Sequence, residues 1–276
     1  MVVFSDKINE AELMEIWKQS FGDSEQYIRM FFEWNLAKTT VAAYMLDDKT
    51  VSVAYLLPVT YEKTGQAPIP CWYLYAAATL PEYRGQGYFG EIMKAIYARI
   101  PEPVLLVPGE KSLISYYEKQ GMRVWLNEKV LDFSKAQERT VLGEISDISS
   151  SDYALKRKGC LLEHGYINWD EHDMNYIFHE NHVCGGFQKV ISVSQEKYIA
   201  MYRVEDKTLK IMELLPQDDL LKQDNLKHVY GVNACVQLLL KETGCQRANV
   251  CLNPAVMVTE NFPTCKNEGY FNLTLG

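Results

Sequence analysis

The sequence predicts an α/β protein whose sheets are mixed in the α+β manner, arranged as two successive domains. Three observations carry this. The apolar run Tyr75 to Leu80 turns through closely spaced glycines into a helix with one apolar face. A short second strand, Val104 to Val107, follows that helix at once, as parallel pairing through a crossover requires. The second half of the chain then repeats the order of the first: a helix pair, a meander of strands, a long helix and a strand.

Length and composition set the bounds. The chain has 276 residues, 47% of them hydrophobic and 23% charged, enough for two domains of ordinary size. No apolar run approaches the ~20 residues of a membrane span, and the start, MVVFSDKINE, has no basic leader followed by an apolar core, so a cytoplasmic protein without membrane attachment is expected. The formal charge of −8 argues against nucleic-acid binding and is compatible with a cationic acceptor such as an amine, although acidity also serves solubility alone. Seven cysteines, an odd number with no C-x-x-C pair, read as reduced core residues.

In chain order, Met1 to Phe4 reads as a strand. Glu10 to Ser20 reads as a helix with apolar Ala11, Leu13, Met14, Ile16 and Trp17, ended by Gly22. Asp23 is positioned to cap a second helix together with Gln26, and that helix carries Tyr27, Ile28, Phe31, Phe32 and Trp34; a helical aromatic stripe is more often core than substrate contact. Val41 to Leu46 and Thr50 to Leu57 flank Asp47-Asp48-Lys49 as a hairpin. After the turn-rich segment Thr64 to Pro70, Cys71 to Leu80 forms the strand that Pro81 stops, since proline brings no N–H to a ladder.

The junction that follows suits an anion. The first N–H groups of a helix have no internal partners, and its dipole makes that end partly positive. Gly85, Gly87 and Gly90 let backbone amides approach a pyrophosphate without Cβ obstruction, and Arg84 adds a fixed charge. These glycines also spell G-x-G-x-x-G, with Glu110 twenty residues beyond Gly90, so a dinucleotide site is one reading and a structural turn another.

The order Pro81-x-x-Arg84-Gly85-x-Gly87 resembles the acyl-CoA motif of the GNAT acetyltransferases: Arg or Gln, two residues, Gly, one residue, then Gly or Ala. Phe89 stands at its last small position, where Gly90 can substitute. The segment SLISYYEKQGM resembles the family's following helix, which ends aromatic-Tyr-x-x-x-Gly-apolar. The resemblance implies a GNAT fold, acetyl-CoA as acyl donor, and a loop from Ala78 through Thr79, Leu80, Arg84, Gly85, Gln86, Gly87, Tyr88, Phe89 and Gly90 that holds it. Backbone groups at Ala78 and Leu80 are expected to meet the pantetheine and the thioester oxygen. Tyr117 falls on the family's general acid, with a packed core tyrosine as the alternative.

An amine attacking a thioester also needs an acceptor for its proton. The strand before the motif offers Trp72, Tyr73 and Tyr75 and no acid. Glu110 and Glu82 are nearby in sequence, Glu82 reading as a surface ion-pair partner. In the enhanced-intracellular-survival group, which the helix-pair start and second GNAT-like half resemble, the terminal carboxylate reaches the active site. Gly276 is therefore a candidate base, and the apolar Tyr270, Phe271, Leu273 and Leu275 are expected to anchor the end as a strand.

Met122 to Phe133 reads as the strand closing the first domain, residues 1–138. Residues 139–276 read as a degenerate GNAT-like domain: helices Leu155 to His164 and His172 to His179, strands Phe187 to Ser194, Tyr198 to Val204 and Leu209 to Leu215, helix Leu226 to Thr243, strand Ala248 to Leu252. YMLDDKTVSVAYLLP and YRVEDKTLKIMELLP agree at seven of fifteen positions, yet element order aligns them with different strand pairs, so shared turn chemistry explains the match. The second half has PQDDLLKQDN where the first has its glycine loop, and its acids would repel a pyrophosphate. His172, His179, His182 and Cys184 lack paired metal-ligand spacing, so no metal is expected. The reading is an N-acetyltransferase acting by direct attack of a small-molecule or peptide amine. A non-catalytic acyl-CoA sensor and a tandem-GNAT aminoacyl or peptidyl transferase are the alternatives.

Overall fold

A computed structural model describes residues 1–4, 8–135, 141–216, 226–264 and 269–271. The elements in chain order are β1 (Val2–Phe4), α1 (Glu10–Phe21), α2 (Glu25–Asn35), β2 (Thr40–Leu46), β3 (Lys49–Glu62), β4 (Ile69–Thr79), α3 (Tyr88–Arg99), β5 (Val104–Leu106), α4 (Ile114–Lys119), β6 (Met122–Leu126), β7 (Lys129–Ser134), β8 (Gly143–Asp147), α5 (Ser150–Leu161), β9 (Tyr166–Asn168), α6 (Glu171–Val183), β10 (Phe187–Val193), β11 (Glu196–Glu205), β12 (Thr208–Leu215), α7 (Leu226–Thr243), β13 (Arg247–Asn253) and β14 (Val256–Thr259).

Local chemistry sets several boundaries. The Asn9 side chain accepts from the Ala11 N–H to start α1, and Gly22, in the left-handed region at φ 75°, ends it. The cap of α2 is Ser24 rather than Asp23, because the Asp23 carboxylate accepts from the Trp17 indole N–H at 2.7 Å. A two-residue turn at Asp47 and Asp48, with φ of 47° and 61°, joins β2 to β3. The similar segment in the second half turns at Asp206 and Lys207, one position later in the aligned stretch, and joins β11 to β12. The likeness is one of hairpin chemistry, and the two hairpins hold different places in their sheets.

The chain divides into two compact units that are not contiguous in sequence: Met1–Tyr61 with Pro68–Trp125 and Val256–Lys266, and Glu62–Ala67 with Leu126–Ala255 and Asn267–Gly276. In the first unit the strand order is β1-β2-β3-β4-β5-β14-β6, with β4 and β5 parallel and β14 antiparallel to β5. One face carries α3, burying Ile92, Met93 and Ile96 against Ala54, Leu56 and Leu74. The other face is aromatic: Trp17 lies 5.3 Å from Tyr55 and 5.7 Å from Tyr75, ring centre to ring centre, and Phe31 lies 5.3 Å from Tyr75. Ile28, Phe31 and Phe32 of α2 are thus core, as their spacing suggests.

The second unit repeats the plan with the order β7-β13-β12-β11-β10-β8. A helix pair (α5, α6) follows its first strand, a three-strand meander (β10, β11, β12) leads to the long α7, and β13 returns parallel to β12. Each sheet then ends its parallel pair on an antiparallel strand from the other half of the sequence. The segment β14 flanks β5 in the first unit, and β7 flanks β13 in the second.

This exchange explains why Met122 to Phe133, read as one strand, is two. Asn127 and Glu128 break it, and β6 and β7 belong to different sheets. A division at 138/139 falls between β7 and β8, while the compact units trade strands across it. Strands β8, β9 and β14 have no counterpart in the sequence reading. Helix α5 begins at Ser150 under a Ser149 cap, ahead of the expected start. Cys71, Cys235 and Cys245 are core residues as expected, but Cys184 is exposed at the end of α6.

A buried ion pair sits in the second unit. The Arg157 guanidinium donates to Glu213 at 3.0 Å and to the Ile167 carbonyl at 3.0 Å, and the Tyr153 and Tyr270 hydroxyls donate to Glu213 at 2.9 and 3.1 Å. Arg157 and Glu213 are fully buried. The glutamate follows a bulge at Met212, where Met201 pairs with Glu213 and Tyr202 with Ile211. Glu213→Ala leaves the guanidinium buried and uncompensated, so stability should fall by about 3–5 kcal/mol in urea unfolding. A loss below about 1 kcal/mol would show that the pair carries no structural weight.

Candidate functional site

The first unit has a discontinuity where its parallel strands part. Strands β4 and β5 pair at Trp72–Val104 and Tyr73–Leu105, and β4 then runs on to Thr79. On its other edge β4 contains a bulge: Val53 pairs with Ala78 and Tyr55 with Tyr75, so one residue of β4 is extra. Ala76 takes up the strain at φ 46°, in the left-handed region that a non-glycine residue rarely adopts. The bulge re-aims the backbone of β4 along the stretch that has left β5.

Beyond Thr79 the chain makes a short 3₁₀ turn, Pro81–Tyr83, and enters α3. Gly85 and Gly87 have φ of 77° and 82°, and a Cβ built at either would meet no protein atom within 4 Å. Their lack of a side chain answers to backbone conformation and to the open space before them, with no packing contact involved. Gly87 is the N-cap of α3 and supplies no side-chain acceptor, so the opening amides of the helix lack a capping side chain.

The remaining loop residues fall as follows. The Arg84 Nε donates to the Thr79 carbonyl at 3.0 Å, which pins the exposed arginine beside the loop. The Tyr88 hydroxyl donates to Gln86 Oε1 at 2.9 Å, and the Tyr88 ring lies 4.5 Å from that of Tyr44. A Cβ on Gly90 would stand 3.4 Å from the Gln120 carboxamide, so this glycine makes room for the segment after α4. The carbonyl of Ala78 accepts from the Ser52 hydroxyl at 3.1 Å, and the Thr79 hydroxyl lies 2.8 Å from it. Leu80 has both backbone groups engaged within the protein: its N–H donates to Val51 at 3.0 Å and its carbonyl accepts from Tyr83 at 2.9 Å.

Tyr117 lies on α4 with 8% of its surface exposed, edge-on to Phe89 at 6.3 Å and to Tyr116 at 5.5 Å. Its hydroxyl has no hydrogen-bond partner among the described residues. Burial, aided by the neighbouring Tyr116, pushes its phenol up to about 12, so it holds its proton throughout the physiological range. Of the carboxylates considered, Glu82 faces Lys49 at 3.6 Å and Glu110 is exposed, accepting from Ser112 at 3.0 Å. Gly276 lies outside the described residues, as do Leu273, Leu275 and most of PQDDLLKQDN. Tyr270 and Phe271, just before the end, are buried in the second unit, where Tyr270 bridges to Tyr166.

The sequence reading missed the bulge, although the run Ala76-Ala77-Ala78 within a strand of aromatics was a signal, alanine being a poor strand former. It also missed the buried polar groups on the aromatic face: the Tyr55 hydroxyl and the Asn35 carboxamide lack partners among the described residues. Burial drives the Tyr55 phenol far above its usual range.

A sheet whose parallel strands part beside a bulge, feeding a glycine-bearing helix N-terminus, is a GNAT-like fold. Residues 6–124 match the family described as acetyltransferase (GNAT) domain. Both units share in the likeness to solved structures. A probable N-acyltransferase from Enterococcus faecalis superposes with a TM-score of 0.68 at 17% identity, over 94% of this chain and 72% of that one. Eis1 from Mycobacterium abscessus gives 0.58 at 12%, over 95% and 66%. N-myristoyltransferase from Saccharomyces cerevisiae, with bound myristoyl-CoA, gives 0.52 at 9%, over 94% and 82%. At these identities the likeness is one of fold. No curated protein sequence matches the chain.

Proposed function

We propose that the protein transfers an acetyl group from acetyl-CoA to an amine by direct attack, with the first unit as the catalytic one. The observation that carries this is the parted edge of β4 leading through the 3₁₀ turn and glycine loop into the uncapped amides of α3. Pantetheine lies along the edge that β5 has left, completing its backbone hydrogen bonds. The pyrophosphate meets the amides of the Gly85 to Gly90 loop, where helix dipole and Arg84 favour negative charge. The bulge at Ala76 to Ala78 offers the thioester oxygen a backbone donor, and since Leu80 is engaged elsewhere, this stretch is the better place for that contact.

The amine enters over the aromatic face of α1, α2 and β4. Attack on the thioester carbonyl forms a C–N bond and breaks the C–S bond. Tyr117, protonated and within the core beneath Phe89, gives its proton to the departing thiolate. The amine's own proton goes to a carboxylate, for which Gly276 is the first candidate and Glu110 the second. Extending the chain by one glycine displaces the terminal carboxylate, so kcat should fall at least tenfold with acetyl-CoA affinity unchanged. An unaltered rate across pH 6 to 9 would move the role to Glu110 or a water chain.

Binding without turnover would make the protein an acyl-CoA sensor. Free-thiol release across a panel of small amines and lysine peptides separates the two readings and names the acceptor class. A protein acting in the cytoplasm on soluble amines accords with the acidic chain, in which no described helix is long and apolar enough to cross a membrane.

A further inference from the structure

The first unit contains a cleft of about 410 Å³ at the opposite end of α3 from the glycine loop. That volume falls within the ~300–1,000 Å³ of ordinary small-molecule sites. Twelve residues of helix separate the two ends, about 18 Å at 1.5 Å per residue, so Tyr97, Ile100, Pro101 and Glu102 lie at the end of α3 away from the glycine loop, toward which Gln120 extends. Its apolar wall is the ring of Tyr97 with Ile100 and Pro101, and its polar wall holds Glu102 and Glu260 beside the carboxamides of Gln120 and Asn261.

Three independent features give the cleft one electrostatic sign. Two carboxylates line it and no lysine or arginine does. The C-terminal end of α3 carries the negative pole of its dipole, and the basic residue of that last turn, Arg99, is turned away with its guanidinium 4.8 Å from the Phe4 ring. Arg123, which does not line the cleft, donates to the Phe262 and Thr264 carbonyls at 3.0 and 2.7 Å and forms a long ion pair with the exposed Glu260 at 3.9 Å. The Asn261 carboxamide is also oriented, with its Nδ2 donating to the Pro101 carbonyl at 2.9 Å and its Oδ1 accepting from Thr259 at 2.6 Å. Tyr97 is half-buried, with burial pushing its phenol up to about 12, so it presents a neutral ring.

The geometry points to a second binding site here, for an alkylammonium cation: a positive head between Glu102 and Glu260 and an apolar stem on Tyr97, Ile100 and Pro101. A carboxylate pair with an aromatic face recognises such a cation by charge and by cation–π attraction, and excludes an anion. A free alkylamine and a lysine side chain share this chemistry. The two carboxylates that define the site belong neither to the acyl-CoA loop nor to α4; of the lining residues, Gln120 alone touches both, its carboxamide beside Gly90 and its N–H donating to the Tyr117 carbonyl at 3.0 Å.

Calorimetry with pentyltrimethylammonium, a cation that cannot be acetylated, tests it. The full chain should bind it with a Kd below about 1 mM, and Glu102→Gln with Glu260→Gln should weaken binding at least tenfold, while Gly87→Glu leaves it unchanged. Glu260 is exposed, and Glu102 is half-buried and accepts from the Trp72 indole N–H at 3.4 Å, a bond that the carboxamide oxygen of Glu102→Gln can also accept, so circular dichroism should show the double variant folded. The neutral 1-pentanol should bind at least tenfold more weakly. A capped Gly-Lys-Gly peptide in a parallel titration distinguishes the sources: tighter binding by the peptide assigns the site to a lysine side chain, tighter binding by the small cation to a free amine. No binding of either cation by wild type, equal binding by the double variant, or equal binding of the alcohol would each overturn the assignment.

Discussion

Gly87→Glu should reduce acetyl-CoA affinity at least 100-fold while leaving the fold intact. The separation of these effects comes from the position itself. A side chain at Gly87 meets no protein atom within 4 Å, so the cost to the protein is that of a non-glycine residue at φ 82°, about 1–2 kcal/mol. The cost to the ligand is larger, since the new side chain occupies the space before the α3 amides and places a carboxylate where the pyrophosphate is expected. Gly65→Glu is the matched control. It has the same left-handed backbone conformation, φ 77°, and the same open surroundings, but is not part of the motif. Isothermal titration of both variants with acetyl-CoA should show binding lost in the first and kept in the second. Micromolar affinity in Gly87→Glu would place the site elsewhere.

Tyr117→Phe should lower kcat by about 100-fold or more, the scale on which a lost general acid is felt, with acetyl-CoA affinity within a factor of about three. The ring contacts to Phe89 and Tyr116 survive this change, and the hydroxyl has no partner among the described residues whose loss would unfold the core. The pH dependence carries a second signature. With the phenol pushed up to about 12, the acid form persists below that value, so wild-type kcat should show no falling limb between pH 7 and 10. A thioester whose thiol leaves readily as its anion needs no proton, so the variant should recover most of its rate with such a donor. A merely packed tyrosine would show neither the drop nor the recovery.

What was legible in the sequence was what local backbone chemistry dictates. Pro81 announces the strand end, and Gly85 and Gly87, read as leaving room before the helix amides, both take positive φ values. The aromatic stripe of α2 and the long apolar α7 follow from period alone. The features that were not legible depend on partners distant in sequence. The bulge at Ala76 exists because β4 carries one residue more than β3 between two pairs, a count that no single strand reveals. The place of β14 beside β5 joins residues about 150 positions apart, as the Val104 N–H donating to the Thr259 hydroxyl at 3.0 Å illustrates. Asp23 failed as a cap because its tertiary partner, Trp17, competes for the same carboxylate. The ion pair of Arg157 with Glu213 was invisible for the same reason, since neither residue's neighbours in sequence suggest burial.

The chemical step is tested most directly by the release of free thiol from acetyl-CoA across a panel of amines, run in parallel with wild type and Gly87→Glu. Thiol release that depends on an amine in the wild type, with a matching acetylated product, and none above background in the variant, is the expected result. Saturable acetyl-CoA binding by wild type with no thiol released by any amine would contradict the account and leave a protein that binds acyl-CoA without using it.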